Sequence, residues 1–160
     1  MDILCLRALS RDEAIVRIRS PLRELRWGKL RALIGLRIPY DVFELELNQR
    51  LAIDCITGTL DLYRLDDISD GEESLVVERK LSQEQTRSSL QKRLTRHDQV
   101  IGDHVAVALV PYWVGIFERK GTVHIEVLDA IRGTLEGAKM RDVIEEYLAR
   151  RREDCGDSTR

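Results

Sequence analysis

Two stretches of this chain repeat one another, and the repeat limits the fold more than any other feature of the sequence. Six residues return 72 positions later: Leu9, Ser10, Pro39, Tyr40, Val42 and Glu46 correspond to Leu81, Ser82, Pro111, Tyr112, Val114 and Glu118. A second block returns at a spacing of 75, with Asp54, Ile56, Gly58, Thr59 and Leu60 matching Asp129, Ile131, Gly133, Thr134 and Leu135. A constant offset with one later step is typical of a duplicated unit that gained a longer loop. We therefore expect two half-repeats, at about 9–65 and 81–137.

Composition restricts the class of protein. With 160 residues, 43% hydrophobic and 34% charged, the chain can form one globular domain, which we place at 1–152. A net charge of −2 and only 5% aromatic residues argue against nucleic-acid binding. The longest uncharged apolar run, 105–117, is too short for a membrane helix, which needs about 20 residues. Three scattered cysteines fit a reducing compartment. We expect a cytoplasmic protein that uses no cofactor and binds no membrane.

The charges are unevenly distributed along the chain. Residues 1–40 contain nine Lys or Arg and four Asp or Glu, whereas residues 41–78 contain two and eleven. Such polarity is usually neutralised within a fold or across an interface between subunits. We therefore expect a protein partner, or self-association as a homodimer, in preference to an anionic polymer.

Each half-repeat opens with a helix-start signal. Ser10 is followed by Glu13, and Ser82 by Gln85, at the spacing of a capping box. In the first copy an apolar stripe follows, formed by Ala14, Ile15, Ile18 and Leu22. The pair Ser20-Pro21 either kinks this helix or starts another, because proline is favoured in the first helical turn.

Strand patterns follow each helix, at 33–47 and at 105–117, and both contain a proline at the matching position. Because proline cannot donate to a strand ladder, we expect Pro39 and Pro111 at a bulge or a sheet edge that splits one long strand into two. In the first hairpin, turning at 48–50, alternation predicts an apolar face with Phe43 and Ile53 and a wet face with Asp54. The second hairpin, turning at Lys120-Gly121, is apolar on both faces and should be doubly covered.

The rest of the chain contains a linker, a helix and a tail. Residues 66–74 form a polar linker between the copies. An amphipathic helix is predicted at 138–152, and 153–160 is predicted to be a flexible tail. The fold class is therefore α+β, with two tandem helix–antiparallel β repeats and an added C-terminal helix. The strands join either one continuous sheet or two facing ones.

The segment from Leu51 to Leu60, with its D-x-x-T-G turn after a capped helix and a hairpin, resembles the PepSY-type unit. In the second copy Asp129-x-x-x-Gly133 is similar, with Arg132 in the place of the threonine. The resemblance covers about 9–137 and implies a helix packed on a short antiparallel sheet. It also implies a role in restraining peptidases, in proteins that are usually extracytoplasmic or membrane-attached.

The sequence contains no recognisable catalytic constellation, so we expect a non-enzymatic binding or regulatory module that acts through protein–protein contacts. Five residues are the candidate binding residues, namely Trp27, Tyr40, Tyr112, Asp54 and Asp129. For the two aspartates a purely structural role in tight turns is the simpler interpretation. A sheet edge at Pro39 or Pro111 could also accept a peptide strand.

The alternative is a pocket between the repeats that binds a small ligand or carries acid/base hydrolysis, lined by Asp54, Asp129, Tyr112, His124 and Glu126. The three histidines, His97, His104 and His124, lack metal-ligand spacing, so we expect no metal. None of the three cysteines resembles an activated nucleophile.

Overall fold

The computed structural model describes residues 2–5, 9–46, 49–58, 60–61, 75–94 and 100–156. The predicted linker at 66–74, His97, and part of the first hairpin turn lie outside this described part. Within it the chain forms four helices and seven strands. The helices are α1 (Arg11–Ile18), α2 (Pro21–Trp27), α3 (Gln83–Leu94) and α4 (Ala138–Gly156). The strands are β1 (Asp2–Cys5), β2 (Lys29–Leu45), β3 (Arg50–Asp54), β4 (Leu60–Asp61), β5 (Leu75–Val76), β6 (Ile101–Arg119) and β7 (Thr122–Asp129).

The strands pair into one mixed sheet in the order β1-β6-β2-β3-β4, with β5 beside β2 and β7 beside β6. β3 runs antiparallel to β2, with Tyr40 opposite Asp54 and Phe43 opposite Leu51. β1 and β5 run parallel to their neighbours β6 and β2. The α+β class is confirmed, and the two parallel strands that precede α1 and α3 were not expected from the sequence.

The chain divides into two compact units that are not contiguous in sequence. Unit 1 comprises residues 1–8 and 35–112, and unit 2 comprises residues 9–34 and 113–160. Unit 1 therefore combines the strands β3 and β4 with α3, which comes from the second half-repeat. Unit 2 combines α1 and α2 with β7 and α4. In each unit a helix from one half-repeat is grouped with the hairpin of the other.

The helix-start signals are confirmed. Ser10 and Glu13 form a reciprocal capping box at α1, and Ser82 and Gln85 make the same two hydrogen bonds at α3. Ser20 caps a separate helix, α2, with Pro21 in its first turn. Because the helix restarts there, the predicted stripe ends at Ile18, which is fully buried, and Leu22 is 79% exposed.

The expectation for the prolines was wrong. Pro39 and Pro111 each lie inside one continuous strand, and both β2 and β6 lie in the interior of the sheet order. Cys55 N–H donates to the Pro39 carbonyl at 2.9 Å, but Pro39 has no N–H to return the bond. The Cys55 carbonyl instead accepts from the amides of Lys80 and Leu81, at 2.9 and 2.7 Å. Since neither proline lies in an edge strand, a peptide strand cannot add to the sheet at Pro39 or Pro111.

The core of unit 1 lies between α3 and the first hairpin. The predicted apolar face is confirmed, because buried side chains of β2 and β3 pack with those of α3: Phe43, Leu45, Leu51, Ile53, Leu90 and Leu94.

The core of unit 2 lies between α1 and the second hairpin, and its buried members are Ala14, Ile18, Leu33, Phe117 and Leu128. The hairpin turns at Lys120-Gly121 as predicted, with φ of +49° and +80°. The terminal helix α4 buries Met140 and Ile144 and continues to Gly156, four residues beyond its predicted end at 152.

Both units carry the same link between a helix start and a turn. In unit 1 the Leu81 amide donates to the Cys55 carbonyl at 2.7 Å, and in unit 2 the Leu9 amide donates to the Ala130 carbonyl at 2.8 Å. Leu9 and Leu81 are separated by the first repeat spacing, and positions 55 and 130 by the second. The tandem repeat stays a prediction, and these shared bonds support it.

We expect Gly28→Ala to destabilise the protein far more than Gly121→Ala. Both glycines have positive φ, +95° and +80°, but a Cβ at Gly28 would lie 2.1 Å from the Glu118 carbonyl oxygen, whereas one at Gly121 meets nothing within 4 Å. The backbone conformation costs about 1 kcal/mol at both sites, and the clash adds about 2 kcal/mol or more at Gly28. Urea unfolding measures the loss of unfolding free energy in each variant. Equal losses in Gly28→Ala and Gly121→Ala would contradict the close approach of Gly28 to the Glu118 carbonyl.

Candidate functional site

Asp54 shapes a turn and has no exposed surface. Its Oδ1 accepts from the amides of Ile56 at 3.0 Å, Gly58 at 3.1 Å, and Thr57. Its Oδ2 accepts from the Thr57 hydroxyl at 2.6 Å. The expectation that Asp54 faces a wet side of the sheet was wrong, because these donors replace water around a buried carboxylate.

Asp129 does the same in unit 2, where it is 1% exposed. Its Oδ1 accepts from the amides of Ile131 at 2.9 Å and Arg132 at 3.0 Å, and the Gly133 amide donates to its carbonyl at 2.8 Å. The glycine that ends each turn has positive φ, +71° at Gly58 and +69° at Gly133. The geometry gives both aspartates the turn-forming role.

Tyr40 and Tyr112 are both buried in unit 1, at 0 and 1% exposure. Their hydroxyl groups hydrogen-bond to each other with an O···O distance of 2.5 Å. The two residues occupy equivalent positions of the sequence repeat. With this burial the hydroxyls serve internal packing of unit 1.

A third buried carboxylate, that of Asp41, joins three elements of unit 1, namely β2, α3 and β6, and the loop before α3. Its Oδ2 accepts from Arg79 Nη2 at 2.6 Å and from the Thr86 hydroxyl at 2.6 Å, and its Oδ1 contacts His104 Nε2 at 2.9 Å. Burial alone would raise the pKa of Asp41, but the bonds from Thr86, His104 and Arg79 outweigh it and hold the pKa below its usual value of 3.8. Asp41 is therefore a charged anchor of unit 1.

Cys55 is the one cysteine whose side chain is described, and it is fully buried. Burial, followed by the negative charge of Asp41, raises the pKa of its thiol to about 12. Since the thiolate is the reactive form of cysteine, Cys55 is unsuited to nucleophilic chemistry near neutral pH.

We expect Asp41→Asn to destabilise the protein by about 2–3 kcal/mol at about pH 7, since Arg79, which is one third exposed, would lose its ion partner. The folded pKa of Asp41 is lowered, so its contribution is complete above about pH 4 and is lost as the pH falls through the folded value. The difference between wild type and variant in urea unfolding should therefore shrink at about pH 2.

Asp103→Asn is the matched control for this variant, because Asp103 is an exposed aspartate of β6. If the difference in unfolding free energy between wild type and Asp41→Asn stayed constant with pH, the carboxyl group of Asp41 would not be the charged anchor of unit 1.

A cavity of about 500 Å³ lies in unit 2, beside α2, β7 and α4. Four elements or loops of this unit contribute to its wall, which is formed by Leu22, Arg23, Arg26, Trp27, His124, Glu126, Leu135 and Arg141. Its size is within the range of small-molecule sites, about 300–1,000 Å³.

An aromatic stack and a histidine–glutamate pair form part of this wall. The rings of Trp27 and His124 are parallel to within 6°, with centroids 3.6 Å apart. His124 Nε2 lies 3.0 Å from Glu126 Oε1, and the Glu126 side chain is 10% exposed. Glu126 thus holds one edge of the imidazole while Trp27 covers its face.

Three guanidinium groups, those of Arg23, Arg26 and Arg141, also line the cavity. Arg141 Nη1 lies 3.7 Å from Glu126 Oε1, and the Arg26 guanidinium lies 4.6 Å from the centre of the Trp27 ring. Arg23 donates to the carbonyls of Arg17 and Ile18 at the end of α1, both at 3.0 Å. Within the described part of the chain, no carboxylate forms an ion pair with Arg26. The wall therefore carries more positive than negative charge and can attract an anion.

The structure brings together only some of the residues expected at a pocket. Trp27, His124 and Glu126 line the cavity, whereas Asp54, Asp129 and Tyr112 do not. Asp54 and Asp129 instead accept hydrogen bonds from the amides of their own turns, and the pocket between the repeats stays a prediction. The arginines were missed, although their density around Trp27 was visible in the sequence.

Among the described residues, no group of three or more His, Cys, Asp or Glu side chains is arranged to hold a metal ion. In the same part of the chain no helix is both long and apolar enough to cross a membrane. Comparisons of the chain with protein-family models, with curated proteins and with solved structures gave no match.

Proposed function

We propose that this protein is a non-catalytic binding module whose cavity in unit 2 takes an anionic group attached to an apolar or aromatic body. The observation that carries the proposal is the wall itself, in which three arginines accompany a single carboxylate. Guanidinium groups bind carboxylates and phosphates through charge-assisted hydrogen bonds. Leu22 and Leu135 add apolar surface for the rest of the ligand.

The surroundings of Glu126 also favour an anionic ligand. Its carboxylate is already engaged by His124 and lies near Arg141, so it is partly neutralised by groups of the protein. Arg26 has no such compensation, and its place beside Trp27 lets it meet a ligand that packs near the indole. A regulatory role through this cavity is compatible with the module expected from the sequence.

We expect naphthoate, an aromatic carboxylate, to bind the full-length protein more tightly than its neutral analogue naphthamide, as measured by isothermal titration calorimetry. Arg26→Ala and Arg141→Ala should each weaken naphthoate binding about fivefold, which corresponds to about 1 kcal/mol for a partly exposed charge-assisted contact.

Arg150→Ala is the control, because Arg150 lies on α4 but forms an exposed pair with Glu146. Equal binding of naphthoate and naphthamide, or unchanged binding in both cavity variants, would refute the proposal.

A second candidate function is acid–base hydrolysis, which the 3.0 Å contact between His124 and Glu126 favours. Glu126→Gln separates the two functions. In a binding module the variant should bind naphthoate about threefold more tightly, because a repelling charge is removed while the amide oxygen can still accept from His124.

In a hydrolase the wild type should release naphthol from naphthyl phosphate, and Glu126→Gln should lose this turnover. Turnover by wild type that disappears in the variant would replace the binding proposal.

A further inference from the structure

The helices α1 and α2 expose three large apolar side chains to solvent. Val16, Leu22 and Leu25 are 77, 79 and 73% exposed, and α2 buries none of its residues. Leu22 and Leu25 are three positions apart and therefore share one face of α2. A single exposed leucine needs no explanation, but three large apolar residues within ten positions of two consecutive helices indicate a surface that another molecule covers.

The same helices carry an excess of positive charge. From position 11 to 27 the chain contains five arginines against three acidic residues, Asp12, Glu13 and Glu24, and Lys29 and Arg31 follow in β2. Glu24 is already paired with Arg19 at 2.8 Å. Arg17, Arg26 and Arg31 are exposed. Whatever covers this surface should therefore combine acidic groups with apolar side chains.

The chain itself contains a segment of this composition. Residues 60–74 include six acidic residues and one arginine, together with five apolar or aromatic residues: Leu60, Leu62, Tyr63, Leu65 and Ile68. The charge of this segment is complementary to that of α1 and α2. In a dimer with two-fold symmetry each copy would supply one basic surface and one acidic segment, so that the contact would form twice.

We infer that the surface of α1 and α2 around Val16 and Leu25 is a docking site for the acidic segment 60–74 of a second copy of this chain. The inference goes beyond the proposed function, because neither Val16 nor Leu25 lines the cavity. The apolar side chains provide affinity, and the charges set the orientation and make the association dependent on salt.

Sedimentation of the full-length chain over about 1–100 µM tests this inference. The wild type should form a dimer at low salt, and about 0.5 M salt should weaken it. The double variant Val16→Ser/Leu25→Ser should dimerise at least tenfold more weakly, and so should the triple variant Asp66→Asn/Asp67→Asn/Asp70→Asn. Val123→Ser, which changes a 46% exposed valine of β7, is the control and should dimerise like wild type.

Mixing the two variants gives the most direct test. Each variant lacks one side of the contact, so neither should dimerise alone. A mixture retains one intact contact, between α1 and α2 of the triple variant and the acidic segment of the double variant. We expect hetero-association in that mixture, and naphthoate binding should be unchanged in the double variant, which shows that its unit 2 is folded.

Three results would overturn the inference: a wild type that stays monomeric over the whole concentration range, a triple variant that dimerises as tightly as wild type, or a mixture of the two variants that does not associate. Association of monomers with vesicles of anionic lipid, without a protein dimer, would assign the surface to a membrane and would also overturn it.

Discussion

One backbone hydrogen bond in each unit fixes where the helix begins relative to the hairpin. The Leu81 amide binds the Cys55 carbonyl in unit 1, and the Leu9 amide binds the Ala130 carbonyl in unit 2. In each bond the donor residue directly precedes the serine that caps the helix. The acceptor residue directly follows the aspartate that shapes the turn. The start of the helix and the turn of the hairpin are thereby joined directly.

In unit 1 this bond depends on a proline in the middle of a strand. An ordinary residue at position 39 would donate to the Cys55 carbonyl and complete the ladder with β3. Pro39 cannot donate, so that carbonyl is available to the amides that lead into α3. Nearby, Asp41 binds Arg79 and Thr86, which flank the start of α3, and so strengthens the same junction.

Features that depend on neighbouring residues were predictable from the sequence. The capping serines, the Asp54 and Asp129 turns, and the Lys120-Gly121 turn all follow from local chemistry. The position of Pro39 was predicted wrongly because the preference of proline for sheet edges considers only the strand itself. It cannot show that the amides of Lys80 and Leu81 bind the Cys55 carbonyl that Pro39 leaves without a donor. The full lining of the cavity was not predicted for a similar reason: Trp27, Glu126 and Arg141 come from three separate segments, and only the tertiary fold groups them. Trp27 could be singled out by its size and basic neighbours, but its stacking on His124 could not.

The interleaved composition of the two units has a consequence for synthesis on the ribosome. Residues 9–34 leave the ribosome before the rest of unit 2, which begins at residue 113, about 80 residues later. At translation rates of about 5–20 residues per second, α1 waits roughly 4–16 s for the strands against which Ala14 and Ile18 are buried. The apolar side chains that α1 buries in the folded protein are thus accessible to chaperones during synthesis, and α1 is among the last parts of unit 2 to acquire its native surroundings.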